Sequence, residues 1–296
     1  MSIRHILAAT DLSPAADLAL DRAIGLARHC GATLTVAIID IPLEVPALAR
    51  TGAPSTFGEL DRSINAYVDE QLAERVRRAG AAGVTASSLR RGGKAADALG
   101  DLAEELDVDL LVVGSEGHTG VKRLVLGSVA EHVAHRAPRP VLIARGPGGG
   151  AFGKVLVATD FAAPAAAALV VARAIATPGA AVEALHAWHY PAGGWGLAAL
   201  GEQSHAMSAL RDALTRGPQE RGDALAAAEQ LAGRSLRFSL RHGAAADVVT
   251  DEATAGGFDL VAVGTFGGSG VRRLFLGSVA GQIMRHAPCS VLVTHG

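Results

Sequence analysis

Residues 114–128 read GSEGHTGVKRLVLGS, and residues 264–278 read GTFGGSGVRRLFLGS. The glycines, the basic pair and the closing Gly-Ser are kept while the residues between them drift. The sequence on either side repeats as well. Residues 3–16 (IRHILAATDLSPAA) pair with 152–165 (FGKVLVATDFAAPA), and 137–145 (APRPVLIAR) pair with 287–295 (APCSVLVTH). A correspondence sustained over that distance, at an offset of 149 to 150 residues, marks a repeated domain rather than a local duplication.

A chain of 296 residues fits two domains, each large enough to bury its own core. With 49% hydrophobic and 19% charged residues and 36 glycines, the composition is that of a folded, alanine-rich α/β protein and excludes a disordered chain. The net charge of -2 gives no chain-wide attraction to nucleic acid or to an acidic membrane, so neither partner is expected. Cys30 and Cys289 form no CxxC or metal-ligand spacing, which suits a reducing cytosol. The opening MSIRHILAATDLS meets Asp11 too soon for a signal peptide or an anchor, so a cytoplasmic location is expected.

Short β-branched runs alternate with longer helical stretches, the pattern of βα units around a buried parallel sheet. In the first half strands are expected at 3–9, 33–39, 84–89, 109–113 and 140–144, with helices at 14–29, about 59–79, 95–106 and 128–136. In the second half strands are expected near 154–158, 181–188, 235–240, 259–263 and 290–294. The stretch 190–233 is the least regular, because GGWG and RGPQERG interrupt it. Domains are placed at 1–146 and 154–296, with the glycine-rich 147–153 as a flexible connector.

In open α/β sheets ligands lie beyond the carboxyl ends of the strands, where the winding reverses. Asp11 and Asp160 close the first strand of each repeat. Each has two readings: an N-cap for the next helix, the commoner role for such an Asp, or a carboxylate accepting a ribose hydroxyl or adenine amino group. In the repeated phrase Gly114 and Gly117 follow strand four, and Gly127 and Ser128 open a helix; Gly264, Gly267, Gly277 and Ser278 copy the spacing. Glycines allow positive φ and close backbone approach to phosphates, a helix start supplies free N–H groups, and Lys122, Arg123, Arg272 and Arg273 add mobile charge. That combination suits a di- or triphosphate. The competing reading makes Gly114 and Gly264 plain strand-end turns and Ser128 and Ser278 ordinary caps, with support at Ser128, where Ser128-Val-Ala-Glu131 has capping-box form.

These residues resemble the universal stress protein family, in its tandem-domain form, whose nucleotide-binding members carry Gly-x2-Gly-x9-Gly-Ser/Thr after the fourth strand. The resemblance covers nearly the whole chain and is least at about 41–75 and 190–232. It implies two Rossmann-like α/β domains, similar to the adenine nucleotide alpha hydrolase fold, each a parallel sheet of order 3-2-1-4-5 with ATP, or ADP or AMP, and Mg2+ as ligands. By position, Asp11 and Asp160 would contact adenosine, and the backbone of Ile38 and Ala187, after strand two of each repeat, would meet adenine. Gly114, Gly117, Gly127, Ser128 and Val129, with Gly264, Gly267, Gly277, Ser278 and Val279, would hold ribose and phosphates. Ala9 and Ala158 depart from the proline or valine that some members place there. The family pattern also implies pairing of 141–144 with 291–294 and assembly as a homodimer. A regulatory, stress-response role follows from the same resemblance.

The repeats differ inside the motif. The first has Glu116 and Glu131 where the second has Phe266 and Gly281. Carboxylates repel a triphosphate, so repeat two is expected to bind phosphates more tightly, or repeat one to need a divalent cation. Gly148-x4-Gly153-Lys154 resembles the start of a Walker A loop, but Val155 replaces the Ser/Thr and a strand follows where a helix is required. His132 with His135 and His186 with His189 lack a third ligand, so no metal site is expected. No nucleophile–base constellation recurs in both halves, and at most slow ATP hydrolysis is expected. Two rival readings remain: a nucleotide hydrolase or nucleotidyl transferase on the same scaffold, and an interaction module with empty sites. Against the transferase, ATDLSPAA stands where such enzymes show a His-x-Gly-His signature.

Overall fold

The computed structural model describes residues 1–40, 54–115, 126–146, 148–191, 204–265 and 277–295, with 54–57 given by their backbone only. The chain divides into two units, Met1–Ala151 and Phe152–Gly296. Unit 1 runs β1 His5–Thr10, α1 Pro14–Cys30, β2 Thr33–Asp40, α2 Pro54–Ala81, β3 Ala86–Gly92, α3 Ala95–Glu105, β4 Leu110–Gly114, α4 Ser128–Arg136 and β5 Val141–Ala144. Unit 2 runs β6 Phe152–Ala158, α5 Ala163–Ala174, β7 Ala176–Trp188, α6 His205–Leu231, β8 Arg237–His242, α7 Ala245–Gly256, β9 Leu260–Gly264, α8 Ser278–His286 and β10 Ser290–Thr294.

Within unit 1 the strands lie in the order β3-β2-β1-β4-β5, and within unit 2 in the order β8-β7-β6-β9-β10, with parallel pairing in each. This is the α/β, Rossmann-like arrangement expected from the sequence. The central strands are apolar on both faces, as a sheet covered by helices requires: Leu110 to Val113 and Val141 to Ala144 are all buried. Helix α1 approaches the sheet on Ala16, Ala19, Ala23 and Ala27, spaced three to four residues apart. Ser13 caps its start by accepting from Ala16 N, and Gly31 ends it in the left-handed region at φ 67°.

One polar clamp recurs at the opposite end of each sheet. Asp109 accepts from the N–H groups of Arg4 and His5 at 2.7 and 3.0 Å, and Asp259 accepts from Gly153 and Lys154 at 2.8 and 2.9 Å. A carboxylate there satisfies the leading donors of β1 and β6.

Three expectations need correction. First, β7 starts at Ala176 instead of 181, and Phe152 N donates to Ile175 O at 3.1 Å; Thr177, Pro178 and Gly179 favour this extension over a last helical turn. Second, RGPQERG lies inside α6, which continues through Pro218. The neighbouring Gly222 explains itself by packing, because a Cβ there would come 2.2 Å from the Phe238 ring of β8. Third, the connector is partly built into the folds. Phe152 and Gly153 already belong to β6, and Gly148–Gly150 lie against α1, where Arg22 Nη1 donates to Gly150 O at 2.8 Å. Gly25 of α1 faces Gly150 so closely that a Cβ would be 2.2 Å from its nitrogen.

Candidate functional site

Strands β1 and β4 are neighbours, and the chain winds away from them in opposite directions, so their carboxyl ends border the crevice where such folds take ligands. The turns that follow β1 and β6 are strained in the same way. Leu12 and Phe161, neither of them glycine, have φ of 66° and 64°. Two side chains hold each one there: Thr10 Oγ1 and Thr159 Oγ1 accept from the N–H groups of Leu12 and Phe161 at 3.1 and 3.0 Å. Asp11 Oδ1 and Asp160 Oδ1 accept from Ser13 N and Ala162 N at 3.0 and 2.9 Å. A conformation costing on the order of 1–3 kcal/mol, kept in both repeats at a switch point, makes these strand ends candidates for a site. The sequence signal for it was the doubled ATD, read above only for its aspartate.

Asp11 and Asp160 therefore do not cap helices, contrary to the commoner reading. Ser13 occupies the N-cap of α1 and Ala162 that of α5, where no side chain caps. The aspartates turn the chain two residues earlier, and their carboxylates stay at the strand end.

The start of the fourth helix also differs from the capping-box reading. Gly127 and Gly277 are the N-cap residues, with no side-chain cap bond, and Ser128 and Ser278 are the first helical residues. The first intrahelical donors are Glu131 N to Gly127 O and Gly281 N to Gly277 O, both at 3.0 Å, so three earlier N–H groups in each helix have no intrahelical partner. Ser128 and Ser278 are exposed, as are Val129 and Val279. Acid sits in the first turn of α4 at Glu131, while the first turn of α8 has none.

The loop between β4 and α4 is closed at its base, since Gly127 N donates to Ser115 O at 2.9 Å; Gly277 N donates to Thr265 O at the same distance. That closure explains one glycine, because a Cβ on Gly277 would lie 2.7 Å from Thr265 O. Gly264 has a packing reason too: its Cβ would lie 2.6 Å from Pro164, in the first turn of α5. None of Gly114, Gly127, Gly264 and Gly277 has a positive φ, and at Gly264 and Gly277 the motif uses the missing Cβ, not left-handed backbone. Gly117, Lys122, Arg123, Gly267, Arg272 and Arg273, with Glu116 and Phe266, lie outside the described residues.

Ile38 and Ala187 fall within β2 and β7, not after them. Strand register also shifts their correspondence by one. Ala9 pairs with Ala37 and Ala158 with Leu185, so the residue standing where Ile38 stands is His186. His186 Nδ1–H donates to Thr159 O at 2.8 Å, and its ring lies 5.2 Å from that of Phe161. The corresponding pair in unit 1, Ile38 and Leu12, is aliphatic.

The Walker-like segment is ruled out by geometry. Lys154 is in β6, where its ammonium donates to Gly256 O and lies 4.8 Å above the Phe258 ring. His132 Nδ1 is engaged by Ser128 O at 2.7 Å. Among the described residues no group of three or more His, Cys, Asp or Glu could hold a metal, and no helix is long and apolar enough to cross a membrane.

Two parallel-sheet domains with the same strained strand end and the same glycine-led helix start define a tandem α/β protein. Comparison with known proteins names the family. The model of the universal stress protein family matches twice, at residues 2–145 and 151–295, and the chain belongs to that family as a tandem two-domain member. Universal stress protein A homolog 1 of Coxiella burnetii is 34% identical over 148 residues, which is 48% of this chain and 96% of that protein. Universal stress protein YxiE of Bacillus subtilis is 32% identical over 144 residues, 47% of this chain and 97% of that protein. Among solved structures, a universal stress protein from Archaeoglobus fulgidus matches over 98% of both chains, with a TM-score of 0.71 and 20% identity, and shares the fold.

Proposed function

We propose that the chain is an adenine-nucleotide-binding regulatory protein with one ATP site in each unit. The observation that carries this reading is the recurrence, in both units, of a strained Thr-Asp strand end beside a helix start whose serine hydroxyl and first N–H groups are uncommitted within the helix. Asp11 and Asp160 accept a ribose hydroxyl or the adenine amino group. The strand backbone at Ile38 and at Ala187, with His186 in the position equivalent to Ile38, meets the base. Ser128, Val129, Ser278 and Val279 donate to phosphates at the positive ends of their helices. Lys122, Arg123, Arg272 and Arg273 close over the phosphates, and Gly117 and Gly267 leave room for them. Mg2+ enters with the triphosphate and offsets the Glu116 and Glu131 carboxylates of unit 1.

Denaturing the purified protein and identifying released small molecules by mass spectrometry tests this. The expected result is an adenine nucleotide, with a rise in melting temperature when ATP and Mg2+ are added to the emptied protein. Recovery of none, with no thermal shift, contradicts the proposal and favours an interaction module. Sedimentation at twice the 30.0 kDa chain mass is the expected result for a homodimer.

A further inference from the structure

The edge of the sheet beside the long helix is built in opposite ways in the two units. In unit 1 the Arg90 guanidinium ties β3 to β2 and α2: it reaches Asp40 at 3.0 Å, Asp69 at 2.8 Å and Asn65 Oδ1 at 2.7 Å. The equivalent positions follow from register and helix ends. Gly93 N donates to Asp40 O and Gly243 N to Trp188 O, Val84 N to Ala79 O and Arg234 N to Glu229 O. Ile38 pairs with Arg90, and His186 pairs with Leu240. Asp40, Asn65, Asp69 and Arg90 thus become Trp188, Thr215, Gln219 and Leu240. These four, with Asp212 and Arg216, line a shallow cavity, widely open to solvent, of about 430 Å³, within the roughly 300–1,000 Å³ range of small-ligand sites.

The lining has a defined chemistry. Trp188 and Leu240 form an apolar wall, and the indole packs against His242 and Tyr190 at centroid distances of 4.6 and 5.2 Å. Arg216 makes no ion pair or hydrogen bond among the described residues, and Asp212, one helical turn earlier, has only a 3.8 Å approach from Arg211. Gln219 Nε2 is used by Asp223 at 2.9 Å, which leaves its Oε1 as an acceptor. A cation and an anion one turn apart, beside an aromatic wall, match the carboxylate and ammonium of a zwitterion with a flat side chain.

We propose that this cavity is a second ligand site, independent of the nucleotide sites, that takes an aromatic amino acid. The carboxylate pairs with Arg216, the ammonium with Asp212 and Gln219 Oε1, and the ring packs on Trp188 and Leu240. Calorimetric titration of the full chain with L-phenylalanine tests it, with 3-phenylpropionate and phenethylamine as analogues lacking one charge each. Binding near the millimolar range is expected for a ligand of this size, with each analogue at least about tenfold weaker. Arg216→Gln should weaken phenylalanine about tenfold. Leu240→Arg should abolish binding by restoring the side chain that seals unit 1, and saturating ATP should not displace the amino acid. No heat with phenylalanine, equal binding of the analogues, undiminished binding to Leu240→Arg, or displacement by ATP each overturns the proposal. Should Leu240→Arg fail to fold, the exposed Arg216→Gln decides alone, and unchanged affinity there refutes it.

Discussion

The two units share topology, but the corner where the first helix, the second helix and the third strand meet has opposite chemistry in each. In unit 1 it is apolar: Ile24, Ala79 and Val84 are 7%, 0% and 5% exposed. The equivalent residues of unit 2 are Arg173, Glu229 and Arg234. Glu229 is approached by Arg173 at 3.1 Å and by Arg234 at 2.8 Å. The Arg234 hydrogen bond holds the Glu229 carboxyl below its ordinary value, helped by the charge of Arg173, while burial opposes it. Desolvation lowers the Arg173 guanidinium. Between the first two helices the arrangement reverses. Unit 1 pairs Arg75 with Asp17 at 2.8 Å and Arg78 with Asp21, whereas unit 2 has Leu225, Ala166, Ala228 and Val170 there. One backbone thus carries ionic or apolar side chains at the same two places.

The contrast is testable by breaking it at one place at a time. The largest effect is expected from Ala79→Glu, which buries a carboxylate where Ile24 and Val84 replace the two arginines that hold Glu229. A loss of about 3–5 kcal/mol is expected in urea unfolding, partly recovered by adding Ile24→Arg. Next comes Glu229→Ala, which leaves Arg173 uncompensated. About 2–3 kcal/mol is expected, less than for a fully buried pair because Arg234 is half exposed. The same triad gives unit 2 an acid sensitivity. The folded value of Glu229 is depressed, so its contribution is complete above the ordinary 4.5 and lost as pH falls through the lower folded value. Melting temperature measured from pH 6 down to about 3 should fall less steeply in Glu229→Ala than in the parent. The smallest effect concerns the helix starts: Ser13→Ala should cost about 1 kcal/mol, and Ala162→Ser should add up to about that much to unit 2.

Much of this was legible in the sequence. Each strand lies within a few residues of its expected place, apart from the early start of β7, because β-branched runs between glycine and proline punctuation are an unambiguous signal. What escaped was decided by distant contacts. Pro218 and Gly222 look like helix breakers, yet Gly222 exists to admit the Phe238 ring and the helix passes through both. The connector's glycines look flexible, yet Gly149 and Gly150 fit against α1. At the site, the sequence located the aspartates and the Gly-Ser pairs but not their roles. Capping depends on an offset of one or two residues, and only the backbone shows that Ser13 and Gly127 hold the cap positions. The one-residue slip between Ile38 and His186 arose in the same way, from a change between the first helix and the second strand that no local pattern marks.

The central claim is that both units bind an adenine nucleotide and that unit 2, without the carboxylates of Glu116 and Glu131, binds it more tightly. Calorimetric titration of the emptied full chain with ATP and Mg2+ tests it most directly, run beside the variants Lys122→Gln with Arg123→Gln and Arg272→Gln with Arg273→Gln. Two binding events are expected, the tighter one lost in the Arg272 and Arg273 variant and the weaker one lost in the other. Loss of the tighter event in the Lys122 and Arg123 variant, or no binding to the parent chain, contradicts the account.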